Sequence, residues 1–279
     1  MRTGAIDLVA FAPQHIEEAI TLSRQAKWPH RSEDWHLVLE LSAGAVALDD
    51  EGKVAGTILM TPYGSDCATI SMVIVDECLR GRGIGRKLME KAFALAGNRQ
   101  LRLIATMEGL PLYEKLGFVA CGTIDQHQGR AHEVAEPAGV EPANAGDLVA
   151  IKALDGTAFG ADRSALIDLL ARNGAFAVIR RGGAVVAYAA CRAFGRGEVI
   201  GPVVAANKDD AKELIAFFTA GRAGAFLRID TQKDSGLSGW LTAIGLAKVG
   251  GGIVMGKPPS ENPEEPATRI FALANQALG

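Results

Sequence analysis

The residues best suited to chemistry lie between positions 80 and 87, where four cationic side chains are interspersed with three glycines. Glycines let the backbone turn tightly, and exposed N–H groups at the start of a helix form an anion-binding site. Cations at that end of a helix are ordinarily unfavourable, because the helix dipole is positive there. The segment therefore predicts a site for a polyanion. It consists of Arg80, Gly81, Arg82, Gly83, Ile84, Gly85, Arg86 and Lys87.

The spacing of these glycines separates the loop from two common nucleotide-binding motifs. A dinucleotide-binding G-x-G-x-x-G sequence would need its third glycine where Arg86 stands, and the chain contains no G-x-x-x-x-G-K-[ST] sequence. A nucleotide-binding protein of another fold is therefore disfavoured. A tight turn that carries solvated cations is the structural alternative to an anion site.

The elements that must position the loop follow from the periodicity of apolar residues. A strand over residues 67–75 leads into the loop, and a helix over residues 84–95 follows it, with Ile84, Leu88 and Ala92 on one face. Ser32 is the predicted N-cap of an earlier helix. The other predicted elements are helices at 15–24, 32–41 and 110–116, a hairpin at 45–48 and 54–60, and strands at 101–105 and 118–124.

The second half of the chain repeats the first at a nearly constant offset. Pro142 matches Pro13 and Val204 matches Val75 at an offset of 129, and Gly245 matches Gly117 at 128. Such regularity indicates a duplicated unit. We predict a mixed α/β protein with domains at 1–128 and 140–279 and a linker at 129–139, after a change of composition from residue 126 onward. The second half also predicts a hairpin around Gly182, a strand at 199–204, and a last strand or helix at 269–275 after the Pro/Glu-rich stretch 258–266.

Two segments together resemble a known family. Arg80-Gly-Arg-Gly-Ile-Gly85 after the strand Met72-Val-Ile-Val75, followed later by Leu112-Tyr-Glu-Lys-Leu-Gly-Phe118, resembles the GNAT superfamily of acyl-CoA-dependent N-acyltransferases. The resemblance covers residues 5–127 strongly and the remainder as a degenerate repeat, similar to two-domain members. It implies an α+β mixed-sheet fold with tandem GNAT-like domains, and acetyl-CoA as co-substrate.

The resemblance also implies roles for particular residues. Backbone amides of residues 80–86 would bind the pyrophosphate, and main-chain groups of Val73, Ile74 and Val75 would pair with the pantetheine arm. Tyr113 stands where family members often keep a tyrosine that protonates the departing CoA thiolate, and a phenol with a pKa near 10 can supply that proton. Thr106 departs from the asparagine of many members. A buried tyrosine bonded to the backbone is the alternative for Tyr113.

The implied reaction is acetyl transfer to a primary amine, expected on a small molecule, by direct attack of the unprotonated amine on the thioester. A protein N-terminus or a lysine is the alternative acceptor. Asp76, Glu77 and Glu108 are candidates for the base that removes the amine proton. The alternative function is a non-catalytic acyl-CoA-binding sensor or scaffold, which the retention of Tyr113 beside an intact loop disfavours.

The second half lacks the features that carry this chemistry. No glycine stands at 206–214, Asp209 and Asp210 lie in the first turn of the predicted helix, and Leu241 replaces the tyrosine. Carboxylates at that position would repel a pyrophosphate. We therefore expect a catalytically silent domain that completes the acceptor pocket or braces the first domain. Candidate lining residues, each with a structural ion pair or a core aromatic as the alternative, are Trp28, Trp35, Glu108, Asp155, Arg163, Arg228 and Asp230.

Composition limits the partners and the location. The net charge of −3 argues against a nucleic-acid partner, and no run approaches the ~18 apolar residues of a membrane span. The N-terminus lacks the pattern of a signal peptide. Four cysteines without metal or disulfide spacing fit a reducing, cytoplasmic location. His127 and His132 lack a third ligand nearby, so we expect surface residues and no metal.

Overall fold

The structure is a computed structural model that describes residues 6–258 and 267–279. The Pro/Glu-rich stretch predicted before the last segment lies, from residue 259 to 266, outside the described residues. The first half contains β1 (Asp7–Ala10), α1 (Ile16–Gln25), α2 (Ser32–Leu41), β2 (Ala43–Leu48), β3 (Val54–Tyr63), β4 (Cys67–Val75), α3 (Ile84–Ala96), β5 (Gln100–Ala105), α4 (Leu110–Lys115) and β6 (Val119–Arg130).

The second half repeats this order element for element, in agreement with the predicted tandem arrangement. It contains β7 (Val140–Pro142), α5 (Leu148–Phe159), α6 (Ser164–Asn173), β8 (Gly174–Arg181), β9 (Ala184–Phe194), β10 (Gly197–Ala205), α7 (Lys208–Thr219), β11 (Phe226–Gln232), α8 (Ser238–Ala243) and β12 (Ala247–Lys257), followed by one further strand, β13 (Arg269–Ala272). None of the helices in the described ranges is long and apolar enough to cross a lipid bilayer.

Within the described residues, thirteen strands form one mixed sheet in the order β1-β2-β3-β4-β5-β12-β6-β11-β13-β10-β9-β8-β7. The equivalent strands β6 and β12 are each inserted into the other half. β12 lies between β5 and β6, and β6 in turn lies between β12 and β11. The second half therefore supplies backbone and side chains next to β5, where the first half would otherwise have an open edge.

Strands such as β3 and β10 are buried along almost their whole length, so both faces of the sheet are covered. Val46 and Leu59 join a core beneath α1, α2, α5 and α6 that is continuous across both halves. Ala47 and Ile58 point to the opposite face, where α3 and α4 cover a core of the first half. A separate core beneath α7 and α8 belongs to the second half. One face therefore carries a single core shared by both halves, whereas the other carries two separate cores, the first of which also contains Met255 of β12.

Three local expectations from the sequence are corrected. α2 begins at Ser32 itself; the residue before it, Arg31, donates its backbone N–H to the Asp34 carboxylate at 2.9 Å. β6 continues to Arg130 because it is paired on both sides, so the composition change at residue 126 does not end the strand. For the same reason His127, expected on the surface, is fully buried.

The parallel strands at the centre of each half separate part-way along their length. β4 pairs with β5 only from Cys67 to Ile70, and β10 pairs with β11 only at Glu198 and Val199. In the second half the resulting gap is filled by β13, whose Ala272 is paired with Val203 on one side and Thr231 on the other. In the first half the corresponding gap forms a cleft.

Candidate active site

A cleft of about 1030 Å3 opens where β4 and β5 separate. Residues 70–75 of β4 line one side, and Ile104 and Thr106 line the other. The glycine loop and the start of α3 lie at one end, which we call the loop end. The opposite end, which we call the acceptor end, is lined by Trp28, His30, Gln126, Gln128, Arg196, Arg228, Val249, Gly250, Gly251 and Gln276.

The loop end has the geometry of an anion site. Gly81 and Gly83 have φ angles of 78° and 80°, a region that favours glycine, and Gly83 is the residue that precedes α3. Gly83 has no side chain that could cap α3, and the first turn of the helix contains no acidic residue. The first N–H groups of this thirteen-residue helix are therefore left for a ligand.

The cationic side chains of the loop point in different directions. Arg80 donates to the carbonyl of Val75 at 3.3 Å and reaches the carboxylate of Glu108 at 3.4 Å. Arg86 is paired with Glu90 along α3, and Arg82 is exposed but does not line the cleft. Arg80 and Arg86 nevertheless line the cleft, together with Gly81, Gly83 and Gly85.

The wall formed by β4 leaves main-chain groups available. Beyond Ile70 the strand keeps its pairing with β3 but has no partner on the β5 side within the described sheet. Met72 has a φ of 52° and lies at an irregularity in the β3–β4 register. Val73, Ile74 and Val75 all line the cleft, so an extended ligand can pair with this edge.

Tyr113 lies on α4 and lines the cleft with only 7% of its surface exposed. Its ring is packed edge-on against Phe118, with the centroids 6.1 Å apart. Burial raises the pKa of Tyr113 to about 12. The phenol is therefore protonated at neutral pH and can act as a proton donor.

His30 lines the acceptor end in a neutral form. Its ring is in edge contact with Trp28, Trp35 and Phe194, and its Nδ1 lies 3.2 Å from the Ser23 hydroxyl. Burial lowers the pKa of His30 to about 4, an effect that exceeds the opposing influence of Asp34. The imidazole is therefore uncharged at neutral pH.

The structure separates the predicted lining residues into two groups. Trp28, Glu108 and Arg228 line the cleft, while Asp230 is fully buried behind Arg228 and bonded to it. Glu108 is 82% exposed and lies beside Arg80 at the loop end. Glu77 also lines the cleft, whereas Asp76 is outside the lining and accepts hydrogen bonds from Cys78 and Gln25.

Trp35, Arg163 and Asp155 lie outside the cleft, contrary to expectation. Trp35 is fully buried, is stacked on Phe11 and donates its Nε1–H to Ser23. Arg163 is buried with its Nη2 2.6 Å from Asp155, and its guanidinium lies over the Phe159 ring. A buried carboxylate needs a positively charged partner, so Arg163 and Asp155 form an ion pair within the core.

Five residues with polar or charged side chains at the acceptor end were not anticipated: His30, Gln126, Gln128, Arg196 and Gln276. They come from the α1–α2 loop, from β6, from the β9–β10 turn and from the segment after β13. These segments are far apart in the sequence, and the fold brings them together in part through the pairing of β6 with β11 and β12. The glutamines at 126 and 128 do carry one signal, since two polar residues two positions apart share a face of a strand.

The equivalent site of the second half is closed by its own chain. β13 fills the gap, and Leu241, in place of Tyr113, is fully buried. The Asn207 side chain accepts hydrogen bonds from the backbone N–H groups of Asp209 and Asp210, which caps α7. The anion-binding features of the first half are thus replaced by internal contacts.

Comparison with known proteins identifies the family. A model of an acetyltransferase (GNAT) domain matches residues 41–120, and a second model with the same description matches residues 151–272, so that together they cover well over half of the chain. The chain belongs to the GNAT superfamily. It is a two-domain GNAT acetyltransferase whose glycine loop, β4 edge and Tyr113 lie in its first domain.

Relatives of this GNAT protein share the two-domain length. It is 28% identical over 284 residues to the uncharacterised N-acetyltransferase YitH of Bacillus subtilis (strain 168), covering 98% of each chain. A structure described as an acetyltransferase of Pyrococcus horikoshii matches with a TM-score of 0.79 at 19% identity, covering 98% of this chain and 96% of that one. A tandem GNAT protein from the clavulanic acid biosynthesis pathway matches with a TM-score of 0.63 at 15% identity, covering 92% and 100%. These structures share the fold.

Proposed function

We propose that this acetyltransferase transfers an acetyl group from acetyl-CoA to a primary amine of a small molecule by direct attack. The observation that carries the proposal is the continuity of one cleft. It runs from the uncapped start of α3, along the open edge of β4 and past Tyr113, to residues of the second domain. GNAT enzymes use acetyl-CoA as co-substrate, and the loop end has the features of its pyrophosphate site.

Different residues along the cleft have different roles. Backbone amides of residues 80–86 bind the pyrophosphate, and the free edge at Val73–Val75 pairs with the pantetheine arm. Acetyl-CoA supplies an activated thioester, whose carbonyl carbon accepts the amine nitrogen while the C–S bond breaks. Tyr113 gives its phenolic proton to the departing sulfur and regains a proton from solvent, and the attacking nitrogen releases one proton to solvent as it becomes the amide. Its pKa of about 12 keeps that proton available at neutral pH.

The enclosure of the acceptor end favours a small molecule over a protein lysine. The α1–α2 loop closes one side with Trp28 and His30, and the second domain closes the other with β12, Arg228 and Gln276. A folded protein surface would have to displace these groups. We further propose that the second domain is catalytically silent and that the enzyme acts in the cytoplasm, where its four free cysteines stay reduced.

Calorimetric titration of acetyl-CoA tests the donor site. Gly83→Asp places a carboxylate among the loop amides and should abolish binding, because it repels the pyrophosphate and forces a side chain into the left-handed region. Gly182→Asp is the matched control, since Gly182 also has a positive φ with open space around it but lies in the β8–β9 turn. Failure of the wild type to bind, or equal loss in both variants, would contradict the proposal.

Tyr113→Phe then separates catalysis from sensing. Loss of a general acid should lower kcat by roughly 100- to 10,000-fold in an assay of released CoA, while acetyl-CoA binding is retained. The phenylalanine preserves the packing on Phe118, so folding is conserved. A variant with wild-type kcat would remove Tyr113 from the mechanism, and a wild type without turnover on any amine would support the sensor alternative.

A further inference from the structure

Two guanidinium groups from the second domain line the acceptor end. Arg196 is exposed in the turn between β9 and β10, beside the Trp28–His30 loop, and Arg228 lies on β11 with 9% of its surface exposed. Within the described residues, the two carboxylate side chains that line the cleft, Glu77 and Glu108, flank the glycine loop at the other end. The side chains that line the acceptor end are therefore cationic or neutral, and the carboxylate that pairs with Arg228, Asp230, lies behind them, although the chain has a net charge of −3.

Arg228 is oriented with part of its guanidinium free. Its Nε lies 3.0 Å and its Nη2 2.9 Å from Oδ2 of Asp230, which holds one side of the fork. Asp230 also accepts a hydrogen bond from Gln276, at 3.0 Å, which fixes the carboxylate from the cleft side. Among the hydrogen bonds of the described residues none uses Nη1 of Arg228. The pair thus presents a positioned, nine-tenths buried donor to the cleft.

A second buried guanidinium leaves positive charge uncompensated close by. Arg192 is 3% exposed, and its Nε and Nη2 have no hydrogen-bond partner among the described residues. Arg192 and Arg228 both contact the Phe194 ring, at 5.1 Å and 5.2 Å from its centroid. Burial, opposed by Asp34 and reinforced by Arg31 and Arg228, lowers the pKa of Arg192 to about 10. An anion near this cluster would relieve the excess charge.

We propose, resting on the proposed function, that the acceptor is an amine that also carries a carboxylate or a phosphate, and that Arg228 and Arg196 bind this anionic group. A planar guanidinium can bind either a carboxylate or a phosphate through two parallel hydrogen bonds. A partly buried guanidinium discriminates between anionic and neutral acceptors more strongly than a surface lysine would. The same cationic surroundings favour the neutral form of the amine, which is the nucleophile.

Matched pairs of amines test this inference. The pairs are α-amino acids with their amides, and aminoalkyl phosphates with the corresponding amino alcohols, each assayed for kcat/KM with acetyl-CoA. We expect the anionic member to react roughly 10- to 100-fold better in one set of pairs, as charge-assisted hydrogen bonds would give. The set that shows the preference distinguishes a carboxylate from a phosphate.

Variants assign the preference to the arginines. Arg196→Gln alters an exposed side chain and should reduce the ratio within a pair about tenfold without changing the KM for acetyl-CoA. The double variant Arg228→Gln with Asp230→Asn removes the buried pair together, so that no charge is left unpaired. Arg172→Gln, on an exposed arginine paired with Glu40 far along the chain, is the control and should leave the ratio unchanged.

The outcomes separate the inference from the function on which it rests. Equal rates within every pair, or a ratio that Arg196→Gln does not alter, would overturn the inference and leave acetyl transfer intact. Binding of acetyl-CoA without turnover of any anionic amine would also overturn it. Failure of the wild type to bind acetyl-CoA defeats the proposed function itself.

Discussion

Burial favours the neutral form of two cleft residues, Tyr113 and His30. Their pKa values shift in opposite directions because the neutral form is the protonated one for tyrosine and the deprotonated one for histidine. Burial raises the pKa of Tyr113 to about 12 and lowers that of His30 to about 4. Both side chains are therefore neutral around pH 7; we propose the first as a proton donor and the second as part of the acceptor wall. The fixed charges of the cleft come instead from the arginines and from the helix dipole of α3.

The His30 shift predicts a loss of stability in acid. Above its ordinary pKa of 6.5 the residue is neutral in both states; below it, the unfolded chain binds a proton that the folded chain excludes down to about pH 4. This residue should therefore lower the free energy of unfolding by up to about 1.4 kcal/mol per pH unit across that window. Urea unfolding between pH 7.5 and pH 4.5 measures this pH dependence of the free energy of unfolding. His30→Gln should flatten the dependence, whereas the exposed control His36→Gln should not; equal slopes would refute the assignment.

At this scale, the sequence indicated which residues line the loop end of the cleft better than which residues line the acceptor end. The glycine loop, the β4 edge and Tyr113 lie within some forty residues of one another, so their spacing carries the information. His30, Arg196 and Gln276 meet only through tertiary pairing, and no local pattern marks them. Trp35 and Arg163 were misplaced because a polar or aromatic side chain has the same sequence signature in a core as in a pocket.

Among the elements, β12 shows how a strand with low intrinsic propensity is required by its neighbours. Glycines at 250, 251 and 252 made it unrecognisable as a strand. A Cβ at Gly251 would lie 2.0 Å from the carbonyl oxygen of Ile124, so the close approach of β6 excludes any side chain there. For β13 the sequence did not decide between a strand and a helix, because the gap in the sheet that β13 fills is formed by other segments of the chain.

Neighbouring glycines of β12 provide a matched test. Gly251→Ala should lower the free energy of unfolding by about 1–3 kcal/mol, since backbone must shift to admit the methyl group. Gly250→Ala should be nearly neutral, because a Cβ at Gly250 meets nothing within 4 Å. Denaturant unfolding of both variants measures this difference in the free energy of unfolding. Similar values for the two would mean that β12 and β6 are not packed as described.

For the molecule as a whole, the exchange of β6 and β12 joins the two domains into one sheet. The duplication and the mixed α/β class followed from the repeat offsets, and the structure and family models bear them out. The exchange of strands could not be predicted from these offsets, because two copies that lie side by side and two copies with exchanged strands have the same sequence periodicity. The domain limits at 1–128 and 140–279 stay a prediction.

Strand exchange predicts that the halves unfold together. Trp240→Phe leaves Trp28 and Trp35, both in the first half, as the fluorescent reporters. Their denaturation midpoint should coincide with that of far-UV circular dichroism, which reports on all helices and strands, and both should fit one transition. A fluorescence midpoint that differs from the dichroism midpoint would show that the halves are independent.

The division of the cleft between distant parts of the chain has an evolutionary consequence. The groups that we assign to acetyl-CoA are encoded between residues 70 and 113, whereas Arg196, Arg228 and Gln276 are encoded in the other copy. A substitution in the second copy can therefore change which amine is accepted while the donor chemistry is inherited unaltered. Duplication followed by exchange of a strand thus gives selection two separate coding regions in which to adjust one reaction.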